Sequence, residues 1–187
     1  DYFDDIQTML LIERIETSRL STTLQSFCET TSGFGGKSEL ITETPTNKKQ
    51  IPTLKGDSIG RYELRKAYWF DFKKENITGR TTDKTKLGSS PKVLLRKTGD
   101  RIIATYDESG VFPEQSLYFL FNKHVEINYK YLLGILNSRL LTFYYRARSL
   151  TNKKSIAQVK KIDLDKLPIR PINFSDPADK ARHDRMV

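Results

Sequence analysis

The chain has 187 residues, a length that allows one full hydrophobic core but not two. Its apolar share of 37% and aromatic share of 11% exclude a disordered chain. Lysine and arginine number 32 against 23 acidic residues, and the resulting formal charge of +9 favours a polyanionic partner such as nucleic acid or an anionic membrane surface.

The sequence offers no membrane span and no set of metal ligands. No apolar run approaches the roughly 18 residues that cross a bilayer, and the start lacks the apolar centre of a signal peptide. A cytoplasmic protein without a membrane partner is therefore expected. Cys28 is the one cysteine and permits no internal disulfide, while His124 and His183 are too few to complete a zinc site.

The first part of the chain predicts a leading helix and then loops. Residues Ile6 to Leu24 carry apolar side chains at loosely helical spacing, so residues 1–26 are expected to form a leading helix or connector. From Phe27 to Lys55 the composition turns to Thr, Ser, Gly and Pro, which suits a short strand at Leu40-Ile41 between loops. The aromatic segment from Arg61 to Phe72 favours a half-buried strand.

The middle of the chain predicts an exposed loop followed by three strands. Residues Asn76 to Pro91 are polar and basic without an apolar period, which favours a loop that reaches out from the sheet. KVLLRK (Lys92 to Lys97) and RIIATYDE (Arg101 to Glu108) flank the turn Thr98-Gly99-Asp100 and predict a β-hairpin. A third strand is expected at Gln115 to Phe121.

The clearest helix is predicted from Tyr129 to about Arg148, with Asn128 as its cap. Its apolar side chains recur at helical spacing along one face. The positions on this face are Tyr129, Leu132, Leu133, Leu136, Leu140, Phe143, Tyr144 and Ala147. A basic loop with Lys153 and Lys154 then leads to a final strand or extended tail over Ile156 to Ile172.

Residues 173–187 predict the start of a helix, with Asp176 as N-cap and Pro177 as the first helical residue. Because the chain begins at Asp1 without methionine and ends inside this segment, we expect both ends to be cuts. The predicted fold class is α/β (α+β): a mostly antiparallel sheet packed against a long amphipathic helix, with helical extensions at both ends. The recognition domain itself is expected over residues 27–172.

The segment GFGGKS at Gly33 to Ser38 is similar to the end of a phosphate-binding loop, but its glycines do not have the spacing that such a loop requires. A P-loop needs a glycine five residues before the glycine that precedes the lysine, and Thr31 holds that position. No buried strand leads into the string, and Pro45 interrupts any helix after it. A flexible glycine turn is the better interpretation.

One group of residues has a weak similarity to a nuclease active site. Asp57 with Asp71 and Lys73 supplies the residue types of a Mg²⁺-dependent nuclease, so a divalent-metal nuclease domain stays an alternative. Acid-x-lysine triplets are common in so charged a sequence, and a solvated surface is the simpler explanation. The chain has no N-P-P-Y motif and no glycine-rich adenosylmethionine loop, so it is not expected to methylate by itself.

Basic residues interleaved with aromatic ones indicate DNA contact, because lysines neutralise phosphates and arginine forks read guanine edges. Taken singly, each charge is better explained as solvated surface and each aromatic as core. The candidate DNA-binding residues are Lys55, Arg61, Arg65, Arg80, Lys84, Lys86, Arg96, Lys97, Arg101, Lys153 and Lys154. The loop with Arg80, Lys84 and Lys86 is the leading candidate for the reading surface. The turn from Thr98 to Arg101 and the loop with Lys153-Lys154 are its alternatives.

Five segments in a fixed order resemble a known family. They are IPTLKGDSIGRYEL (Ile51 to Leu64), PKVLLRKTGDRIIATYDESG (Pro91 to Gly110), QSLYFLF (Gln115 to Phe121), YLLGILNSRLLTFYYR (Tyr131 to Arg146) and KIDLDKLPI (Lys161 to Ile169). Over roughly Phe27 to Ile172 the chain resembles the TaqI-like C-terminal specificity domain of type IIG restriction enzymes and related adenine-N6 methyltransferases. The order of all five segments is far more specific than any one of them.

The resemblance implies a non-catalytic target-recognition domain of a bacterial, IIG-like type II restriction-modification methyltransferase, with double-stranded DNA as partner. It also implies an N-terminal methyltransferase domain in the same chain, which binds S-adenosylmethionine and methylates adenine at N6, with or without an endonuclease that uses Mg²⁺. No cofactor is expected in the present chain. A specificity-subunit domain of a type I restriction system is the close alternative, and a protein-protein docking module built on the terminal helices is an alternative of another class.

Overall fold

The computed structural model describes residues 2–18, 21–123, 127–149 and 158–187. Lys153, Lys154 and His124 lie outside these residues. The described α-helices are α1 Tyr2–Glu16, α2 Lys84–Leu87, α3 Tyr129–Leu136, α4 Arg139–Ser149, α5 Lys161–Asp165 and α6 Pro177–Asp184. None of them is long and apolar enough to cross a membrane.

The strands are short and mostly antiparallel. In the described residues they are β1 Thr22–Thr23, β2 Cys28–Ser32, β3 Gly35–Gly36, β4 Ile51–Leu54, β5 Ile59–Gly60, β6 Glu63–Leu64, β7 Tyr68–Phe70, β8 Ile77–Gly79, β9 Lys92–Arg96, β10 Ala104–Asp107, β11 Phe112–Pro113, β12 Leu117–Asn122 and β13 Pro168–Ile169. Among these strands β11 runs parallel to β4, and every other pairing is antiparallel. The predicted mixed fold with a mostly antiparallel sheet is confirmed.

The central sheet has the strand order β10-β9-β12-β2. β9 and β10 form the predicted hairpin, with Leu95 opposite Ala104, and β12 is the predicted third strand, paired with β9 on its other side. Because side chains alternate along a strand, Val93 and Leu95 enter one hydrophobic cluster and Leu94 enters another. The central sheet is therefore buried on both faces.

Two hydrophobic clusters cover these faces. The larger cluster includes Leu132 of α3 and Tyr145 of α4, so the helices form one outer layer. The smaller cluster includes Phe34 and Phe70, whose rings stack with centroids 5.0 Å apart. The three-stranded sheet β11-β4-β7 closes this second side. The layers are thus helices, central sheet and small sheet.

The long helix predicted over Tyr129 to Arg148 is in fact two helices. Asn137 is the C-cap of α3, and Ser138 caps α4 because its Oγ accepts from the Leu141 backbone N–H at 3.0 Å. Because of this interruption, the buried face of α4 is shifted by one residue from the face that the sequence predicted. Leu140, predicted on this face, is 56% exposed, whereas Leu141 is 3% exposed. The predicted cap at Asn128 is confirmed, since its side chain accepts from the first turn of α3.

Residues 76–91 are not the uniformly exposed loop that their polarity predicts. β8 and α2 lie within them, and the Asp83 side chain caps α2 by accepting from the backbone N–H groups of Thr85 and Lys86. Leu87 is fully buried in the smaller cluster. Leu87 and the partly buried Ile77 fix this segment to the core, although the surrounding composition is that of a loop.

Other local predictions also differ from the structure. The predicted strand over Arg61 to Phe72 is interrupted and forms β6 and β7, and the expected strand at Leu40-Ile41 is a 3-10 turn over Ser38–Leu40. The expected extended tail contains α5 and the two-residue strand β13 in its described part. These short elements are set by tertiary packing more than by local pattern.

The glycine turn at Gly33 to Gly36 is buried and close-packed, not flexible. β3 pairs with β8, and a Cβ on Gly33 would lie 2.2 Å from the carbonyl oxygen of Pro113. The glycines are therefore required by close backbone approach. This arrangement agrees with the rejection of a P-loop.

Both terminal helices pack on the domain. Glu16 of α1 accepts from the hydroxyl of Tyr144 at 2.9 Å and from Nε of Arg148 at 2.8 Å, which fixes α1 to α4. The Asp176 side chain caps α6 as predicted, and Pro177 stands in the first turn. The ring of His183 in α6 lies 5.5 Å from the ring of Tyr131 in α3, so both ends of the described chain contact the helical layer.

Candidate nucleic-acid interface

Most of the predicted basic residues come together at one end of the central sheet. We call this the hairpin end: the turn from Lys97 to Arg101 that joins β9 to β10, with the adjacent end of β2 at Ser32 and the start of β12 at Leu117. Arg96 is the last residue of β9. Three of the predicted residues, Arg96, Lys97 and Arg101, thus reach the hairpin end by their position in the sheet.

Ser116 brings the segment with Lys55 to the hairpin end. Its Oγ accepts from the Gly56 backbone N–H at 2.8 Å, and its carbonyl oxygen accepts from the Lys97 backbone N–H at 3.1 Å. The ammonium group of Lys55 lies 4.7 Å from the ring centroid of Tyr68, a cation–π contact. Lys55 is therefore ordered beside the hairpin end despite the long separation in sequence.

A cleft of about 880 Å³ opens on the β10 side of the hairpin end. We call it the arginine cleft, because its lining includes Arg61, Arg101, Arg139 and Arg146. Asp100 forms ion pairs with Arg101, at 3.2 Å, and with Arg146. These pairs orient two of the guanidinium groups, and Asp100 together with Asp5 in the cleft lining balances only part of the charge of the four arginines.

The second part of the basic surface lies on the β12 and β2 side of the hairpin end. The ammonium group of Lys97 donates to Ser32 Oγ at 2.5 Å and lies 4.3 Å from the ring centroid of Tyr118. Burial and, next, the nearby charge of Arg80 lower the pKa of Lys97 to about 8, while Glu114 acts in the opposite direction. Lys97 is thus a partly desolvated cation beside another cation.

Arg80 has a backbone conformation that is uncommon for its residue type. Its φ of 66° lies in the left-handed region, its side chain is exposed, and it forms no ion pair with any residue that the structure describes. Strained residues of this kind persist where the surrounding structure holds them, and they concentrate at functional sites. Gly79 pairs with Gly35, three residues after Ser32, so Arg80 follows directly beside the chain that continues from β2 at the hairpin end.

Lys84 and Lys86 do not lie with Arg80 at the hairpin end. Lys86 forms an ion pair with Glu29 at 2.9 Å and lies 5.4 Å from the ring centroid of Phe121. Glu29 and Ser32 stand three residues apart on β2, a separation of about 10 Å along a strand. Lys86 therefore lies toward the opposite end of the central sheet, Lys84 lies 5.7 Å from the ring centroid of Phe72, and the predicted loop surface is divided.

The hairpin of β5 and β6 presents Arg61 and Tyr62 in its two-residue turn. Tyr62 has a φ of 63° and is 56% exposed, and its backbone N–H donates to the Ala104 carbonyl oxygen at 3.0 Å. Two-residue turns with positive φ usually use glycine or asparagine, so a tyrosine here stands out. Arg65 follows on the same segment and pairs with Glu63 at 3.0 Å.

The residues of the nuclease alternative do not assemble a metal site. Asp57 accepts from the Tyr68 hydroxyl and pairs with Lys66 at 3.2 Å, and Asp71 pairs with Lys73 at 3.2 Å. In the described part of the chain, no group of three His, Cys, Asp or Glu residues is placed to hold a metal ion. The carboxylates are engaged by neighbouring cations and a hydroxyl group.

The sequence interpretation missed Asn137, Arg139 and Arg146. A signal for the two arginines was present, because residues seven apart on a helix lie on nearly the same face. No local pattern could identify Asn137, since its role depends on contacts with Arg61 and with a distant strand.

Two solved structures share the fold of the chain. It superposes on the type IIG restriction endonuclease BpuSI with a TM-score of 0.64 at 14% identity, covering 98% of this chain and 28% of that one. It superposes on the HsdS subunit from Thermoanaerobacter tengcongensis with a TM-score of 0.54 at 13% identity, covering 99% of this chain and 44% of that one. At such identities the similarity is one of fold.

The family is shown by sequence. Residues 51–169 match the family described as the TaqI-like C-terminal specificity domain, and the chain belongs to this family. It is also 31% identical over 156 residues to the Methanocaldococcus jannaschii protein RM.MjaORFECS2P, whose name describes a type II restriction enzyme and methyltransferase. The alignment covers 79% of this chain and 13% of that protein, so the chain spans a small part of its relative.

Proposed function

We propose that the chain is the sequence-specific DNA recognition domain of a IIG-like type II restriction-modification methyltransferase, and that it is non-catalytic by itself. The observation that carries the proposal is the convergence of basic side chains from separate segments on the hairpin end. Arg61, Arg101 and Arg146 line the arginine cleft on one side of it, and Arg80 lies near Lys97 on the other, so four separate segments of the chain contribute. A surface that is basic only by composition would not gather its charges at one end of a sheet.

The two parts of this surface suit different contacts with DNA. Lysine is a point charge that neutralises a phosphate, which suits Lys55 and Lys97 beside their aromatic rings. Arginine can fork onto the O6 and N7 atoms of guanine, which suits Arg61 and Arg101 in the arginine cleft. The exposed ring of Tyr62 adds a flat apolar surface next to Arg61.

The parent activity is proposed from the relative and not from the present residues. We infer an S-adenosylmethionine-dependent adenine-N6 methyltransferase domain, N-terminal in the same protein, with or without an Mg²⁺-dependent endonuclease. The name of RM.MjaORFECS2P supports both activities in one protein. Because the chain lacks the N-P-P-Y motif and the glycine-rich adenosylmethionine loop, we infer that the cofactor binds outside it. Since the substrate is cellular DNA, we propose a cytoplasmic location.

A type I specificity subunit is the second candidate. The observation that favours it is the superposition on HsdS, which extends over 99% of the chain. That similarity is one of fold at 13% identity, whereas the similarity to the type II relative is one of sequence at 31%. We therefore place the type II assignment first.

Binding of duplex DNA by the full-length protein tests the proposal. We expect the logarithm of the affinity to fall linearly with the logarithm of salt concentration, because bound cations release counterions from DNA. The double variant Arg61→Ala with Arg101→Ala should weaken binding, while Lys123→Ala, at the opposite end of the sheet, should not. Affinity that does not change with salt, or equal binding by the double variant, would contradict the proposal.

A further inference from the structure

The basic surface contains two cations that have no carboxylate of their own. Among the described residues, neither Arg80 nor Lys97 forms an ion pair. Glu114 is the acidic group that acts on Lys97, but its Oε2 accepts from Ser116, at 2.8 Å from the backbone N–H and 2.7 Å from the hydroxyl group. The carboxylate is buried and already engaged, so it balances Lys97 only from a distance.

We propose that Arg80 and Lys97 form a binding site for one phosphate of the DNA backbone, and that above about pH 8 Lys97 takes up a proton from solvent when the phosphate binds. The proposal rests on the proposed function and names one contact and one pH response within it. An arriving phosphate would supply the anion that both cations lack. It would pair with the exposed guanidinium of Arg80 and with the ammonium group of Lys97, which Ser32 and Tyr118 hold in place.

The direction of the pH response is set by the free state. Burial and the charge of Arg80 lower the pKa of Lys97 to about 8, below its ordinary value of 10.5. A bound phosphate stabilises the protonated form and raises this pKa again. The bound state therefore holds more protons above pH 8, and affinity falls as the pH rises through this range. Below pH 8 Lys97 is already protonated, so affinity there changes little.

The groups that face Lys97 from the surrounding elements do not reverse this direction. Arg80, after β8, opposes its protonation, and Glu114, before β12, favours it. Tyr118 of β12 has a raised pKa because of burial, so it stays neutral where Lys97 titrates. Ser32 of β2 carries no charge. Lys161 of α5 lowers the pKa of Tyr118, but the effect of burial is larger, so Tyr118 remains neutral.

Fluorescence anisotropy with a labelled duplex of mixed sequence tests the proposal on the full-length protein. For the natural sequence we expect constant affinity below pH 8 and affinity about tenfold weaker at roughly pH 9.5. Lys97→Arg should keep most of the affinity and lose the pH dependence, because arginine stays charged. Lys123→Arg is the matched control and should behave as the natural sequence does. A flat profile for the natural sequence, or an unchanged slope in Lys97→Arg, would overturn the proposed phosphate-binding site.

A second variant covers the case in which Lys97→Arg does not fold, which thermal unfolding would reveal. Burial lowers the pKa of Lys97 most and the charge of Arg80 lowers it further, so Arg80→Met, which removes that charge, should show a pH dependence that begins at higher pH and a weaker affinity. A pH midpoint that does not move would also count against the proposal. Absence of DNA binding at neutral pH would instead reject the proposed function, so the two failures are distinguishable.

Discussion

The carboxamide of Asn137 hydrogen-bonds to both backbone polar groups of Ala104. The Ala104 N–H donates to Asn137 Oδ1 at 3.0 Å, and Asn137 Nδ2 donates to the Ala104 carbonyl oxygen at 2.9 Å. Asn137 lies at the junction of α3 and α4 and is 1% exposed. It thus provides hydrogen-bond partners for backbone groups of the edge strand β10. Its own carbonyl oxygen accepts from the guanidinium of Arg61 at 2.6 Å. One residue joins the helices, the central sheet and the arginine cleft.

Asn137→Ala should lower the free energy of unfolding by about 1–3 kcal/mol, because two backbone groups of Ala104 would lose a buried partner. Asn137→Asp should cost at least as much, since a carboxylate oxygen would replace the donor that faces a carbonyl oxygen. Chemical denaturation measures both. Asn47→Ala, at an exposed loop position, is the control and should change little. Equal stability of Asn137→Ala and the natural sequence would show that water or a shift of β10 replaces these bonds.

Leu133→Ala and Leu136→Ala should each destabilise the fold by about 2–5 kcal/mol, because both side chains are buried in the larger cluster and their truncation leaves a cavity. Leu140→Ala is the matched control. It lies on the next helix at 56% exposure and should change stability by less than about 0.5 kcal/mol. Thermal unfolding of the three variants checks the helix interruption, since one continuous helix would place Leu140 in the core as well.

The sequence predicted those parts of the fold that local pattern determines. The hairpin of β9 and β10 follows from two apolar runs about a glycine turn, and the caps at Asn128 and Asp176 follow from side chains that can accept from a helix start. The interruption at Asn137 was missed because the apolar spacing continued across it. Asn-Ser can end one helix and begin the next, and the caps at Asn137 and Ser138 together with the burial of Leu141 show that it does.

The sequence predicted which residue types form the candidate site, but it could not decide which of the candidate surfaces brings them together. Lys97 and Arg101 lie at the hairpin turn that the sequence predicted, whereas Arg80 reaches Lys97 through a left-handed backbone conformation that no sequence pattern indicated. Polarity suggested that Lys86 would be free, although Glu29 holds it across the sheet. Contacts between distant segments decide which cations converge, and spacing along the chain does not contain them.

Lys92 and Asp107 form a fully buried ion pair across β9 and β10, with Nζ and Oδ2 separated by 3.0 Å. Burial lowers the pKa of Lys92, which shows that its charge is held against a desolvation cost. Lys92→Met should destabilise the fold by about 3–5 kcal/mol, because it leaves the Asp107 carboxylate buried without its partner.

The double variant Lys92→Met with Asp107→Leu should recover much of this loss, since no unpaired charge remains. The control is Lys161→Met, which removes an exposed partner of Asp165 on α5 and should cost little. Urea denaturation of all three variants gives the comparison. If Lys92→Met were as stable as Lys161→Met, the charge of the pair would contribute nothing to the fold.

The last prediction concerns which residues read bases. Arg101→Ala in the full-length protein should relax discrimination at one base pair of the recognised site by about 1–3 kcal/mol, because an arginine fork is lost from the arginine cleft. Lys86→Ala should leave discrimination unchanged, since its ammonium group is committed to Glu29. Arg80→Ala should weaken binding to all sequences alike, as expected for a phosphate contact.

Binding to the recognised site and to its single-base variants, measured at one salt concentration, separates these effects. We expect Arg101→Ala to change the ratio between the affinity for the recognised site and the affinity for its single-base variants. Arg80→Ala should lower all of these affinities by the same factor and leave the ratio unchanged. If Lys84→Ala or Lys86→Ala altered the ratio while Arg101→Ala did not, the reading surface would lie on the segment with α2 and not in the arginine cleft. Because the hairpin end and Lys86 stand at opposite ends of the central sheet, one DNA duplex would then have to approach from a different side.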